Sequence, residues 1–345
     1  MELDKKDAEI ISKAIHIWEQ NETISADTAQ TLRNSYQIKS GNADAIATYA
    51  LISALSCGLL AFAALVIDEK WIELLRTQWG FSEAVVAGLF TLLSAVFIYL
   101  AHKREVKNTD SLTTSETYNL GIILSIAIAI TYWTRSLGNM NDNYALPLFI
   151  AALAYGISGF FLNSRILWIV MLLTFAGWWG AQTHYWANGN FRFAGMNYPL
   201  RMTVFGLVIW ASTYPMFHIQ KLRKFADTHA NIGLFMFLTA AWTLSIFGNY
   251  DDLEKWTSIK QGHFWYWALA FTALLGGLLA YALQNGNDKI RDFTLVFFLI
   301  NIYTRYFEYF WNRTNKGIFF AVLALSFWLV GRKAEQWRSK QKLNH

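Results

Sequence analysis

The chain has 345 residues, 54% hydrophobic and 15% charged, with a formal net charge of +5. A soluble domain carries about 25% charged residues, and the apolar residues here gather in blocks long enough to cross a bilayer core of about 30 Å, which excludes an ordinary soluble fold. The basic residues cluster in alternate connectors, so the positive balance reads as membrane topology and not as nucleic-acid affinity; the single cysteine, Cys57, excludes a disulfide framework and a thiolate metal cluster.

Residues 1–43 read as a small cytoplasmic helical hairpin. Ile10, Ile11, Ala14, Ile15 and Trp18 recur at helical spacing and form one apolar stripe. Asn21-Glu22-Thr23 breaks the pattern, and Ser25 is placed to cap a second helix, with Asp27 in its first turn and Leu32 and Tyr36 further on. The hairpin either anchors against the spans or docks a cytoplasmic partner. The first 40 residues hold no apolar signal-peptide core, so the first span is expected to target the chain to the membrane.

An all-α transmembrane bundle of about ten spans is expected over residues 44–331. The spans fall at 45–67, 82–101, 116–134, 144–162, 166–182, 199–218, 229–248, 264–283, 293–311 and 317–331. An amphipathic connector at 68–80, with Trp71, Leu74, Leu75 and Trp79, is expected to lie in the membrane interface. Pro147 and Pro199 stand in the first turns of their spans, where a missing N–H costs little. Pro215 stands near the end of the sixth span and is expected to kink it. The pairs Gly156/Gly159, Gly177/Gly180 and Gly276/Gly277 permit close helix contacts without forming a GxxxG motif. His102, His218 and His229, at inner span ends beside basic residues, read as interface residues. A basic cytoplasmic tail, 332–345, follows the last span.

Orientation follows from the Lys and Arg residues. Nineteen lie in the two ends and the even-numbered connectors, against nine in the odd-numbered connectors, with Arg201 in the first turn of the sixth span counted among the nine. This split puts both termini in the cytoplasm.

The costly polar groups concentrate in the ninth span. Asn301, Thr304, Arg305, Glu308 and Asn312 share one helical face. Arg305 lies about 18 Å along the helix from Phe293 at 1.5 Å per residue, past mid-depth toward the outer leaflet. A charge at that depth normally faces a bundle interior or a wet cavity. Arg305 and Glu308 either form a structural ion pair or, with Asn301, Thr304 and Asn312, bind a polar or anionic group. The outward connectors add His184, Arg192, Asn197, Arg201, Asn249, Tyr250, Trp256 and His263, and from these Arg201 and His184 join the candidate ligand site. Neither a cofactor nor a metal is called for: His184 and His263 with Asp251 and Asp252 lack the spacing of a metal motif. No Gly-rich phosphate loop or nucleophile elbow is present.

Three segments carry a resemblance. Trp18 followed by Ile24-Ser25 and Leu32, the run Leu244-Ser245-Ile246-Phe247-Gly248-Asn249-Tyr250, and the run from Tyr303 to Trp311 with Ser326-Phe327-Trp328-Leu329, Gly331 and Ala334-Glu335 resemble the opening and hallmark segments of a family of predicted bacterial membrane proteins of unknown function. The resemblance is loose over the hairpin and tighter over 240–337. It implies a bacterial cytoplasmic (inner) membrane location and brings no activity or catalytic residues. Three functions stay open: a small-molecule binder or transporter with a polar site in the outer half of the bundle; a non-catalytic scaffold or assembly factor; an intramembrane enzyme acting on an envelope or lipid-linked substrate, with Glu308 or a loop histidine as acid–base group.

Overall fold

The computed structural model describes residues 2–3, 5–21, 23–35, 37–38, 57, 82–106, 112–138, 143, 145–250, 253–259, 261–311, 314–326, 328 and 332. The expected span at 45–67, the interfacial connector at 68–80 and nearly all of the tail lie outside these residues. The described chain is helical throughout, apart from a two-residue parallel pairing of β1 (Glu2–Leu3) with β2 (Gln37–Ile38). It forms two compact units, residues 1–142 with 153–167 and residues 143–152 with 168–345.

The first unit opens with the expected hairpin, α1 (Lys5–Gln20) and α2 (Ala26–Asn34). Ser25 caps α2 by accepting from the Thr28 N–H at 3.2 Å. Ile15 and Ala29 are buried between the helices, and Arg33 pairs with Glu19 at 2.6 Å. The apolar stripe of α1 is only partly covered: Ile10 and Trp18 are exposed. Two long helices follow, α3 (Glu83–Val106) and α4 (Leu112–Ser136). They run antiparallel, since the Trp133 Nε1–H donates to Thr91 Oγ1 at 3.1 Å while Phe97 packs on Gly121. Ala87, Ile128 and Tyr132 form their seam. The outer face of α3 is as apolar as the seam, with Leu89, Leu92 and Tyr99 exposed. A helix that is apolar all round suits lipid, not water. From α5 (Ala145–Phe161), the Tyr155 hydroxyl donates to the Ile123 carbonyl of α4 at 2.9 Å.

The second unit is organised around α9 (Arg223–Phe247). Against it pack α7 (Tyr198–Ala211), α8 (Thr213–His218), α11 (Trp265–Gln284) and α12 (Asp288–Phe310). The core joins Leu234, Phe237, Leu238 and Ala241 of α9 to Phe271 and Leu275 of α11 and Phe297 of α12. A second cluster joins Leu172 and Ala176 of α6 (Arg165–Trp186) to Phe205 and Ile209 of α7. A short helix α10 (Leu253–Ser258) and a 3-10 turn (Gln261–Phe264) precede α11, and α13 (Lys316–Ser326) follows α12.

The closest approach is between α7 and α9. A Cβ on Gly206 would lie 2.6 Å from the Phe237 backbone N, and one on Gly233 would lie 2.8 Å from the backbone of Trp210. Each helix thus presents a glycine to the other's main chain, the packing that small residues allow in a bilayer. The glycines singled out from sequence behave differently. Gly177, Gly276 and Gly277 face open space, while Gly180 lies under the Tyr198 hydroxyl. Spacing along one helix does not say which face meets a neighbour.

Two other expectations are corrected. The sixth span is not one helix over 199–218: it breaks at Ser212 between α7 and α8. Pro215 has no N–H to offer the Ala211 carbonyl and its ring crowds that carbonyl, so the helix restarts one turn earlier than the proline itself. His229 is not an interface residue but is buried in the second unit, at 6% exposure. Its Nδ1 accepts from Trp168 Nε1–H at 3.3 Å, which puts the ring proton on Nε2, 3.0 Å from the Ile209 carbonyl and 2.9 Å from Ser212 Oγ. The histidine therefore binds the backbone that the helix break opens.

Among the described residues, five helices are long and apolar enough to cross a membrane: Glu83–Arg104, Thr117–Ser136, Arg165–Trp186, Arg223–Phe247 and Gly262–Gln284. Ala145–Phe161 and Lys316–Ser326 are apolar but shorter.

Candidate functional site

The residues singled out from sequence fall at two places in the second unit. Arg201 and His184 line one cavity. Thr304 and Glu308 line another, and no residue lines both. Asn312 lies outside the described residues.

The first cavity, of about 450 Å³, is built from helix ends. His184 comes from the last turn of α6, and Tyr198, Pro199 and Arg201 from the first turn of α7. Thr243 and Phe247 come from the last turns of α9, Trp256 from α10, and Phe191, Asn197 and Tyr250 from the connectors. The connector before α7 is shaped by a tight two-residue turn. Ala194 and Gly195 both have positive φ, and Phe193 and Met196 exchange both backbone hydrogen bonds across them. Asn197 then caps α7, its Oδ1 accepting from the Leu200 N–H at 3.1 Å. Its Nδ2 donates to the carbonyls of Gly248 at 2.7 Å and Tyr250 at 2.8 Å. Asn249 answers from the other side: Oδ1 accepts from the Asn197 N–H at 2.8 Å, and Nδ2 donates to the Gly195 carbonyl at 3.0 Å. Gly248 ends α9 at φ +59°, a conformation that L side chains rarely adopt. These two asparagines clasp the connectors into one wall.

Arg201 lines this cavity with 1% exposure. Its guanidinium lies over the Tyr198 ring, 4.4 Å from the centroid. Its Nε and Nη1 are buried and make no hydrogen bond, and no carboxylate among the described residues pairs with it. The ring contact contributes about 1–2 kcal/mol, less than the several kcal/mol that burial costs a full charge. Trp256 Nε1 is a second buried donor on the same wall without a partner.

The second place is the polar face of α12, and there most groups are spent on neighbouring helices. Asn301 Nδ2 donates to Thr272 Oγ1 of α11 at 2.9 Å. Thr304 accepts from Trp242 Nε1–H of α9 at 2.9 Å. Arg305 Nη1 meets Glu308 Oε2 at 2.5 Å, and Nη2 donates to Ser245 Oγ of α9 at 3.0 Å. Glu308 Oε1 is left buried without a partner beside a cavity of about 410 Å³ that Ile246, Tyr303 and Phe307 also line. Tyr303 and Tyr306 tie the helix to α13 through Ser326 Oγ at 3.1 Å and the Phe319 carbonyl at 2.9 Å. This face fastens α12 to α9, α11 and α13.

Sequence reasoning placed Arg201 and His184 beside the α12 face, but in the fold they belong with Thr243 and Phe191, which carried no signal of their own, and with Phe247, which figured only in the family resemblance. Of the partners of the α12 face, Trp242 and Thr272 were also silent, because a Trp or Thr inside an apolar run reads as filler, and Ser245 figured only in the family resemblance. The Asn197-Tyr198-Pro199 run did hold a cue, an N-cap followed by a first-turn proline. Among the described residues no group of three or more His, Cys, Asp or Glu is placed to hold a metal ion, and Asp251 and Asp252 lie outside them. Comparison with protein-family models, curated proteins and solved structures finds no match to this chain.

Proposed function

We propose that this chain is a multi-pass protein of the bacterial cytoplasmic membrane, with about ten spans and both termini in the cytoplasm, that binds or carries a small anionic molecule at the Arg201 cavity. The five long apolar helices and the 19-to-9 distribution of basic residues support the membrane placement. In that orientation the connectors around the cavity lie on the outer side. The bacterial setting rests on the family resemblance.

One observation carries the ligand reading: a fully buried arginine, unpaired among the described residues, lines a cavity of ligand size. Buried charges in proteins are paired or hydrogen-bonded. A bound carboxylate, phosphate or sulfate would complete the pairing, and a guanidinium fork matches such oxygens in pairs. The Arg305–Glu308 pair, already joined to Ser245, serves in this reading as a brace of the same unit.

The test is native mass spectrometry of the protein purified from its own membranes in a mild nonionic detergent. The wild type is expected to carry an anionic adduct, which Arg201→Met loses while keeping its elution volume and helical circular dichroism. An adduct equally retained by Arg201→Met, or none on either protein, would refute the reading.

A further inference from the structure

We infer that the ligand of the Arg201 cavity is an amphiphile, with an anionic head that only accepts hydrogen bonds and an apolar body. The inference rests on the anion reading above and narrows it.

The polar groups of the wall sort by what they still offer. The acceptors are largely engaged: Asn197 Oδ1 takes the Leu200 N–H, and Asn197 itself occupies the carbonyls of Gly248 and Tyr250. The Thr243 hydroxyl proton goes to the Thr239 carbonyl at 2.8 Å. Among the buried atoms, what remains unpartnered are donors: Arg201 Nε, Arg201 Nη1 and Trp256 Nε1; the exposed His184 imidazole adds one donor and one acceptor. A neutral polyol needs acceptors as well as donors and is poorly served here. A carboxylate or phosphate offers only acceptor oxygens, the complement of such donors.

The rest of the wall is apolar, formed by Phe191, Pro199, Phe247 and the rings of Tyr198 and Tyr250. A simple inorganic anion would leave most of the roughly 450 Å³ bordered by rings that give water no hydrogen bonds. An alkyl or aryl body fills that space and removes apolar surface from water. The surroundings agree. Trp186, Phe191, Tyr198 and Tyr250 are exposed around the cavity, and exposed aromatic residues at helix ends are a mark of the membrane–water interface, where amphiphiles concentrate.

The experiment uses isothermal titration of the full chain in nonionic detergent with four soluble probes: 4-phenylbutyrate, 4-phenylbutyl phosphate, 4-phenylbutanol and butyrate. At least one of the two aryl anions is expected to bind about tenfold or more tighter than both the alcohol and butyrate, from charged hydrogen bonds and apolar burial respectively. Their relative order identifies a carboxylate or a phosphate head. Arg201→Met should remove the preference for the anions over the alcohol. If butyrate binds as tightly as the tighter of the two aryl anions, the anion reading stands and the amphiphile inference falls. If the alcohol matches both aryl anions, or no probe binds, both fall. The probe series on the wild type decides this even where Arg201→Met fails to fold.

Discussion

Removing one partner of the Arg305–Glu308 pair should cost far more than removing both. The Nη1–Oε2 distance is 2.5 Å, and the side chains are only 18% and 11% exposed. With charge centres about 4 Å apart and an effective dielectric near 20, their attraction is about 4 kcal/mol. Glu308→Leu leaves the guanidinium with Ser245 alone, and Arg305→Met leaves a carboxylate whose Oε1 already lacks a partner. Each single change should destabilise by about 3–5 kcal/mol, whereas the double change should return to within about 1 kcal/mol of the wild type, since an apolar pair of similar volume replaces the desolvated charges. At about 2–4 °C per kcal/mol, the singles should lose on the order of 10 °C in Tm. Thermal unfolding in nonionic detergent, read as a double-mutant cycle, measures this directly. Additive losses would show that the two residues do not act as a pair, and singles within about 1 kcal/mol of wild type would show that water reaches them. If the double variant is stable but loses its anionic adduct, the α12 face belongs to the ligand site and is not a brace.

Two further outcomes follow from the same unit. Gly206→Ala should destabilise by about 1–3 kcal/mol, because its Cβ meets the Phe237 backbone, which cannot swing aside; Gly276→Ala, in open space, should be neutral or stabilising by up to about 1 kcal/mol, and equal Tm values for the two would contradict the close crossing. Asn197→Ala removes a helix cap and the two side-chain bonds to Gly248 and Tyr250. It should cost about 2–4 kcal/mol and speed hydrogen exchange in residues 187–197 and 248–250; unchanged protection there would mean that the asparagine clasp does not hold the cavity wall.

The helices were legible because their cause is local. Runs of apolar residues predict α3, α4, α6, α9 and α11, and Ser25 marks the start of α2 by its own capping chemistry. The break in the sixth span was half legible: Pro215 announces a disturbance, but its position depends on the carbonyl four residues earlier and on His229 reaching across from α9. The candidate site was read as residues rather than as a place. Arg305 and Glu308 stand out because charge in an apolar run is costly, and that cost is the same whether the charge binds a ligand or a neighbouring helix.

From sequence alone came the helical character of the chain, its long apolar segments and the positions of its expensive polar groups, all properties of single residues and their nearest neighbours along the chain. Only the tertiary structure decided which of those groups are satisfied. Arg305 finds Ser245 sixty residues away, and Asn197 finds Gly248, Asn249 and Tyr250 more than fifty residues away. Among the described residues, Arg201 finds only the ring of Tyr198 and a cavity. Hydrogen-bond satisfaction of a buried group depends on the direction and distance of atoms on other helices, and linear spacing holds no information about those.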